Sequence, residues 1–298
     1  MATTVIDRKL LEKLERLTIR WQKSFPGLVG GHNMSRFSGP GQEFLDHRNF
    51  HHGDDLRAVN WRAYMRLEKM FLKMFQIEPR VPVRMLIDTS LSMGTGDPGT
   101  GDPNKFDYAR TLAAALTYVA LVRLDTIVIH PFSSKLGDAQ ICSGGRHRFN
   151  PAAEFLSNLE MSGQTDFLPV ARQFVNKYLN KGLLVVISDF LSDTDTEKPM
   201  QYLAEFGHEV FLIHVWADQD RTPPWTGELN LTDAETGAHL EMDVDDEARQ
   251  RYTEAFDEWA GTVERAALRN GGRYVGIPVS MPVEEAIFGP IARTRGVA

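Results

Sequence analysis

Two short apolar runs, Val83–Ile87 and Leu183–Ile187, each lead into a carboxylate, Asp88 directly after the first and Asp189 after Ser188. Runs of this length read as strands buried on both faces, which belong to parallel sheets sheathed by helices. The spacing around them predicts further strands at 126–132, 139–143, 209–215 and 274–279, and helices at 105–122, 151–160, 167–180, 196–206 and 245–269. Strands alternating with helices across short connections give an α/β fold, a mostly parallel sheet with helices on both faces.

Two regions break that rhythm. Gly227–Leu231 and His239–Met242, arranged around Thr236-Gly237, read as a β-hairpin inserted near 226–244. Ahead of residue 81 the pattern is different: an amphipathic helix over Asp7–Gln22, a Gly-rich connector over Gly30–Gly41 without phosphate-loop spacing, and strand character over Met70–Ile77. A division follows, with a helix and β lobe at 1–80 and the α/β domain at 81–298. Pro282–Phe288 reads as a short terminal helix, and Gly271-Gly272 as the stop of the long helix before it.

The segment Asp88-Thr89-Ser90-Leu91-Ser92 carries the chemistry. Alternate residues of an extended chain face the same way, so Asp88, Ser90 and Ser92 present hard oxygen donors toward one point beyond the strand. Magnesium prefers such donors and retains water in its shell. Ser162–Phe167 places Thr165 near the start of the following helix, and Asp189 ends a second buried strand. In open α/β sheets ligands bind outside the carboxyl ends of the strands, where these loops meet.

This set resembles the metal-ion-dependent adhesion site of von Willebrand factor A domains, an Asp-x-Ser-x-Ser followed by a Thr and then an Asp. The resemblance implies a von Willebrand factor A-like fold with Ser90, Ser92 and Thr165 as hydroxyl ligands, and Asp88 and Asp189 acting directly or through coordinated water. It further implies a Mg2+ ion, or Mn2+ or Ca2+ in its place, whose shell an acidic side chain of a protein partner completes.

Upstream, Arg48-Asn49-Phe50-His51-His52-Gly53-Asp54-Asp55-Leu56-Arg57-Ala58-Val59-Asn60-Trp61 resembles the signature of the bacterial domain-of-unknown-function family 58 (DUF58), with Phe50 in place of the usual Tyr and Val59 in place of Ile. That resemblance implies work beside a MoxR-type AAA+ ATPase in the chaperone-like assembly or maturation of protein complexes. No ATPase motif occurs in this chain.

Composition fits this reading. The net charge of −7 argues against a nucleic-acid partner. A single cysteine, Cys142, precludes an internal disulfide and reads as a small hydrophobe. No leader or membrane span is read in the sequence, and a cytoplasmic location is expected.

Other constellations are weaker. His47, His51 and His52 among Asp46, Asp54 and Asp55 suggest zinc, but the Leu56-x-x-Val59-x-Trp61 alternation points to a turn and strand, with Arg48, Asp54 and Arg57 as an ion cluster. The twin Thr-Gly-Asp-Pro turns at 95–98 and 100–103 form a loop at the rim of the proposed site, and Asp243, Asp245, Asp246 and Glu247 suit a helix N-terminus. The enzymatic rival is a magnesium-dependent haloacid-dehalogenase-like phosphohydrolase. Its chemistry needs a second acid two residues after the nucleophile, and that position holds Ser90. A Gly-x-Ser-x-Gly elbow is absent too. A non-catalytic interaction module is therefore expected.

Overall fold

A computed structural model describes residues 8–16, 43–52, 56, 59–76, 82–95, 101, 103–123, 125–192, 196–233 and 236–294. The chain forms two compact units, one of Ser24–Arg80 and one of Met1–Lys23 with Val81–Ala298.

In the smaller unit β1 (Glu43–Asn49) pairs antiparallel with β2 (Phe71–Gln76), and a register shift falls between Phe44 and Asp46. The strand expected through Val59 and Trp61 is cut short. Val59 makes an isolated bridge to Leu72, after which the Asn60 side chain accepts from the Ala63 N–H at 3.3 Å and starts α2 (Trp61–Leu67). An Asn at this position satisfies an otherwise orphaned helix donor, so capping wins over alternation. The Gly-rich connector, Asp54 and Arg57, and the side chains of His47 and Arg48 lie outside the described residues, so the ion cluster proposed for them does too.

The larger unit is built on a six-stranded sheet in the order β10-β7-β6-β3-β4-β5, where β3 is Val83–Asp88, β4 Ile127–Phe132, β5 Gln140–Cys142, β6 Leu183–Ser188, β7 Glu209–Trp216 and β10 Arg273–Pro278. All neighbours run parallel except the short edge strand β5. The expected α/β class is the observed one. β3 and β6 are buried along their whole length, which is why they read as continuous apolar runs.

The helices are α3 (Lys105–Val122), α4 (Phe149–Ser157), α5 (Phe167–Lys177), α6 (Glu197–Glu205), α7 (Asp218–Arg221), α8 (Asp246–Arg269) and α9 (Val283–Ala286). α3 is the most deeply set, with Leu112–Leu121 buried throughout. It packs with β3, β6 and β7 into one apolar cluster on one side of the sheet, while α5, α6 and α8 close a second cluster on the other. α1 (Arg8–Leu14) ends on Leu14, which is buried in the first cluster. The leading helix, grouped by sequence with the N-terminal lobe, therefore packs on the larger unit. The hairpin appears as expected, with β8 (Gly227–Thr232) pairing antiparallel with β9 (His239–Val244) as a separate two-stranded sheet. α8 begins where its acidic run predicts, since Asp245 accepts from the Ala248 N–H at 2.7 Å. Among the described residues no helix is long and apolar enough to cross a membrane.

This topology fixes where a site can form. From β3 the chain builds outward through β4 and β5 on one side, and later through β6, β7 and β10 on the other. The carboxyl end of β3 is thus the switch point of the sheet, the crevice that such folds offer to ligands.

Candidate metal-ion site

Asp88 is the last residue of β3 and fully buried. The backbone turns immediately after it, so the Ser90 N–H reaches back to Asp88 Oδ1 at 2.9 Å. A short helical turn, Leu91–Gly94, follows and carries Ser92 under Ser90, their hydroxyls 3.0 Å apart. Thr95 closes the loop by donating its hydroxyl to the Ser92 carbonyl at 2.9 Å.

Thr165 arrives from the loop between α4 and α5. That loop is stitched to the first by backbone bonds from Ser162 N–H to the Thr89 carbonyl, 2.7 Å, and from Leu91 N–H to the Gly163 carbonyl, 3.1 Å. Gly163 sits at φ 75°, in the left-handed region that glycine enters at no steric cost. The Thr165 hydroxyl in consequence lies 3.0 Å from Asp88 Oδ2 and 3.2 Å from Oδ1. Ser90 and Thr165 thus converge on the Asp88 carboxylate, with Ser92 beside them through Ser90.

Asp189 follows β6, the direct neighbour of β3. Its charge, second to burial itself, pushes the Asp88 carboxyl up to about 6. Unlike Asp88, however, it has a cation of its own. Lys105 Nζ, on the first residue of α3, lies 2.7 Å from Asp189 Oδ2 and 3.0 Å from Asp220 Oδ2, and the lysine side chain has no exposure at all. Burial alone would lower the pKa of that ammonium, but Asp189 and Asp220 together outweigh it and raise it. The other Asp189 oxygen accepts from the Leu191 N–H at 3.1 Å.

Three participants escape the sequence reading. Ser188 donates its hydroxyl to Asp88 Oδ2 at 2.5 Å and accepts from the Phe190 N–H at 2.8 Å. That bond holds Phe190 at φ 52°, a left-handed conformation rare for an aromatic residue and typical of strained functional turns. The alternation of β6 could have found Ser188, because a polar residue at the end of a buried strand needs a partner. Lys105 gives only a weak signal, a lysine at a helix start, where the macrodipole disfavours a cation. Asp220 sits on α7, a single turn with no periodicity of its own.

Beyond these residues opens a cleft of about 890 Å³, lined among others by Ser92, Thr165, Lys105 and Asp220 and bounded by Thr232 and Asp233 at the hairpin and Tyr252 and Trp259 on α8. Residues 96–100 of the proposed rim loop lie outside the described residues.

Among the described residues no cluster of histidine, cysteine, aspartate or glutamate is arranged to hold a metal, so any ion here depends on hydroxyl donors. The donor chemistry fits a hard divalent cation. Asp88 is a buried carboxylate whose described partners are all neutral hydroxyl or N–H groups, and a buried charge without a counter-ion is costly. Serine and threonine oxygens with one carboxylate suit Mg2+ or Mn2+.

The family described as "Protein of unknown function DUF58" matches residues 46–260, which span the upstream signature, the Asp88 loop, Thr165 and Asp189. This chain belongs to the DUF58 family. An uncharacterized protein from Mycobacterium tuberculosis is 25% identical over 252 residues, covering 84% of this chain and 78% of its own. Among solved structures the chain is similar to BatB from Bacteroides thetaiotaomicron, at 16% identity and a TM-score of 0.42 over 72% of this chain and 98% of that one. It is also similar to the von Willebrand factor A domain of SpRpn10, at 14% identity and a TM-score of 0.38 over 70% and 93%.

Proposed function

We propose that this DUF58 protein is a non-catalytic, divalent-metal-dependent interaction module. Asp88, Ser90, Ser92 and Thr165 would hold the ion, with Asp189 beside it, and the ion would anchor a carboxylate of a protein partner. What supports this is the convergence of hydroxyls from separate loops on one buried carboxylate that has no cation among the described residues. Neutral ligands leave a bound Mg2+ or Mn2+ electrophilic enough to accept an outside acid. The cleft beside Ser92 and Thr165 gives that acid a route in.

The same arrangement disfavours the phosphohydrolase. A nucleophilic Asp needs an acid nearby to protonate the leaving group, whereas Asp88 is enclosed by Ser90, Thr165 and Ser188. By family resemblance, the partner we favour is a MoxR-type AAA+ ATPase or its client. Such a partner works where ATP is held, and a cytoplasmic location is part of this proposal. The test is capture of the ATPase by the immobilised protein with and without Mg2+ or Mn2+. Capture should require the ion and vanish in Asp88→Ala. Equal capture in chelator would overturn the reading, and turnover of a generic phosphoester with Mg2+ would revive the enzyme.

A further inference from the structure

Lys105 stands out among the buried charges because it points into the proposed metal site, where a cation competes with a metal. We propose that Lys105 is a fixed internal counter-ion that withdraws Asp189 from the metal, so that the site holds its ion through Asp88 and the hydroxyls and leaves it weakly bound until a partner's carboxylate completes the shell. This inference rests on the metal-site reading above and adds a division of labour between the two acids.

The geometry carries it. Each Asp189 oxygen is engaged within the chain, one by the Lys105 ammonium at 2.7 Å and the other by the Leu191 N–H at 3.1 Å. Both side chains of the pair are essentially unexposed, 0% and 1%, so water does not screen them. Lys105 is held from the far side as well. Asp220 Oδ2 lies 3.0 Å from its Nζ and is itself fixed by the Ala217 N–H at 3.0 Å. The lysine cannot swing aside without leaving Asp220, and its backbone is locked because the Lys105 N–H donates to the Thr95 carbonyl at 3.2 Å, in the loop that carries Ser92. Asn104, the cap before it, accepts from the Asp107 N–H at 2.7 Å. Among the described residues Asp88 is contacted instead by hydroxyls and one N–H.

Charge balance gives the arrangement its consequence. The ammonium cancels one of the three carboxylates Asp88, Asp189 and Asp220. A divalent ion then just neutralises the remainder, and an incoming acid meets no net negative charge. Without Lys105 the loaded site would stay negative, hold its metal harder and repel an acidic partner.

The test is Mn2+ binding by calorimetry, with thermal melting in chelator and in Mn2+, for the full-length wild type, Lys105→Met, and the double variant Lys105→Met/Asp189→Asn. Lys105→Met should bind Mn2+ on the order of tenfold more tightly, because Asp189 is released. Its melting point should fall in chelator and recover more in Mn2+ than the wild type gains. The double variant, which deletes a neutral pair, should bind within about threefold of wild type, a change too small for the loss of a ligand. An unchanged affinity in Lys105→Met, with equal losses of melting point in both buffers, would reduce Lys105 to a structural residue and overturn the proposal. So would a loss of more than about tenfold in the double variant, since Asp189 would then be a ligand in its own right. Should Lys105→Met not fold, the double variant decides alone. A wild type that gives no heat with Mn2+ removes the metal site itself, an outcome distinct from either.

Discussion

The two ends of the central sheet both bury charge, and they treat it differently. At the amino ends of the strands, Glu209 of β7 and Arg273 of β10 pair at 2.9 Å with 1% and 6% of their side chains exposed. Nearby Arg84 of β3 donates to the Asn180 carbonyl at 3.0 Å and lies 4.4 Å from the centre of the Tyr178 ring. Glu209 and Arg273 neutralise each other, while Arg84 is held by a neutral carbonyl and a ring face. At the carboxyl ends Asp189 is answered by Lys105, but among the described residues Asp88 meets neutral donors. A buried pair closed on itself serves the fold. Under the proposed function, the charge that answers Asp88 comes from outside the chain.

The sharpest way to test that contrast is to open the closed end. Glu209→Ala removes the carboxylate that faces the buried Arg273 guanidinium and should cost about 3–5 kcal/mol, read as a lower urea midpoint that is the same with and without Mg2+. A deficit that Mg2+ repairs would erase the distinction between the two ends. Next in size is the response of the open end. Saturating Mg2+, at about a hundred times its Kd, should stabilise the wild type by about 2.7 kcal/mol and Asp88→Asn not at all. In chelator at pH 7 the sign reverses. Burial, with Asp189 behind it, holds the Asp88 carboxyl near 6, above its ordinary 3.8, so its ionised form penalises the metal-free fold, and Asp88→Asn should be as stable as wild type or more so. A large loss of stability in chelator would mean that Asp88 is structural.

The same contrast explains what was legible in the sequence. β3, β6 and α3 could be read to their ends because burial imposes one pattern on every residue, whereas Asp88, Ser90 and Ser92 are gathered by a turn and the helical segment Leu91–Gly94 instead of the extended alternation expected of them. Thr165 was placed correctly by a helix start. What could not be read were groups whose role depends on pairing across the fold. Lys105 and Asp189 are 84 residues apart and bond through a helix terminus that ordinarily disfavours lysine. The smaller unit failed locally, since the alternation through Val59 and Trp61 competes with a cap at Asn60 that alternation does not register. The leading helix has an apolar stripe but no mark of which body it joins, and only the burial of Leu14 decides that.

Acid should unsettle both ends, for a reason separate from the metal. His208, just before β7, and His214, near its end, are buried and uncharged, with burial first and a neighbouring cation second depressing them to about 4 and about 3. The unfolded chain protonates both at about 6.5. Their contribution to stability is therefore complete above that value and is lost as pH falls through the interval down to their folded values, at up to about 1.4 kcal/mol per unit for each. Denaturant midpoints measured in chelator between pH 7 and pH 5 should show this decline in Asp88→Asn, where the opposing titration of Asp88 near 6 is removed, and adding His214→Phe should reduce it. His214 sits among Phe190, Trp216, Phe256 and Trp259, so an aromatic replacement keeps the packing and removes the proton. An unchanged slope would assign the decline elsewhere.

The smallest effect separates charge at the carboxyl edge from charge in the site. Arg221 of α7 meets Asp257 of α8 through a two-pronged contact, Nε to Oδ1 at 2.7 Å and Nη2 to Oδ2 at 2.8 Å. The geometry is that of a strong pair, but both side chains are about half exposed, 47% and 49%, and water and salt screen such pairs to about 0.2–1 kcal/mol. Asp257→Asn should therefore lower the urea midpoint slightly, by an amount that fades in about 1 M salt, where the screening length falls to about 3 Å. Mn2+ affinity should not move. Arg221 follows Asp220 in the turn that reaches Lys105. If loosening α7 at its exposed face changed metal binding tenfold, the open end would depend on the whole turn rather than on the loops that leave β3 and β6, and the line drawn between the two acids would have to move with it.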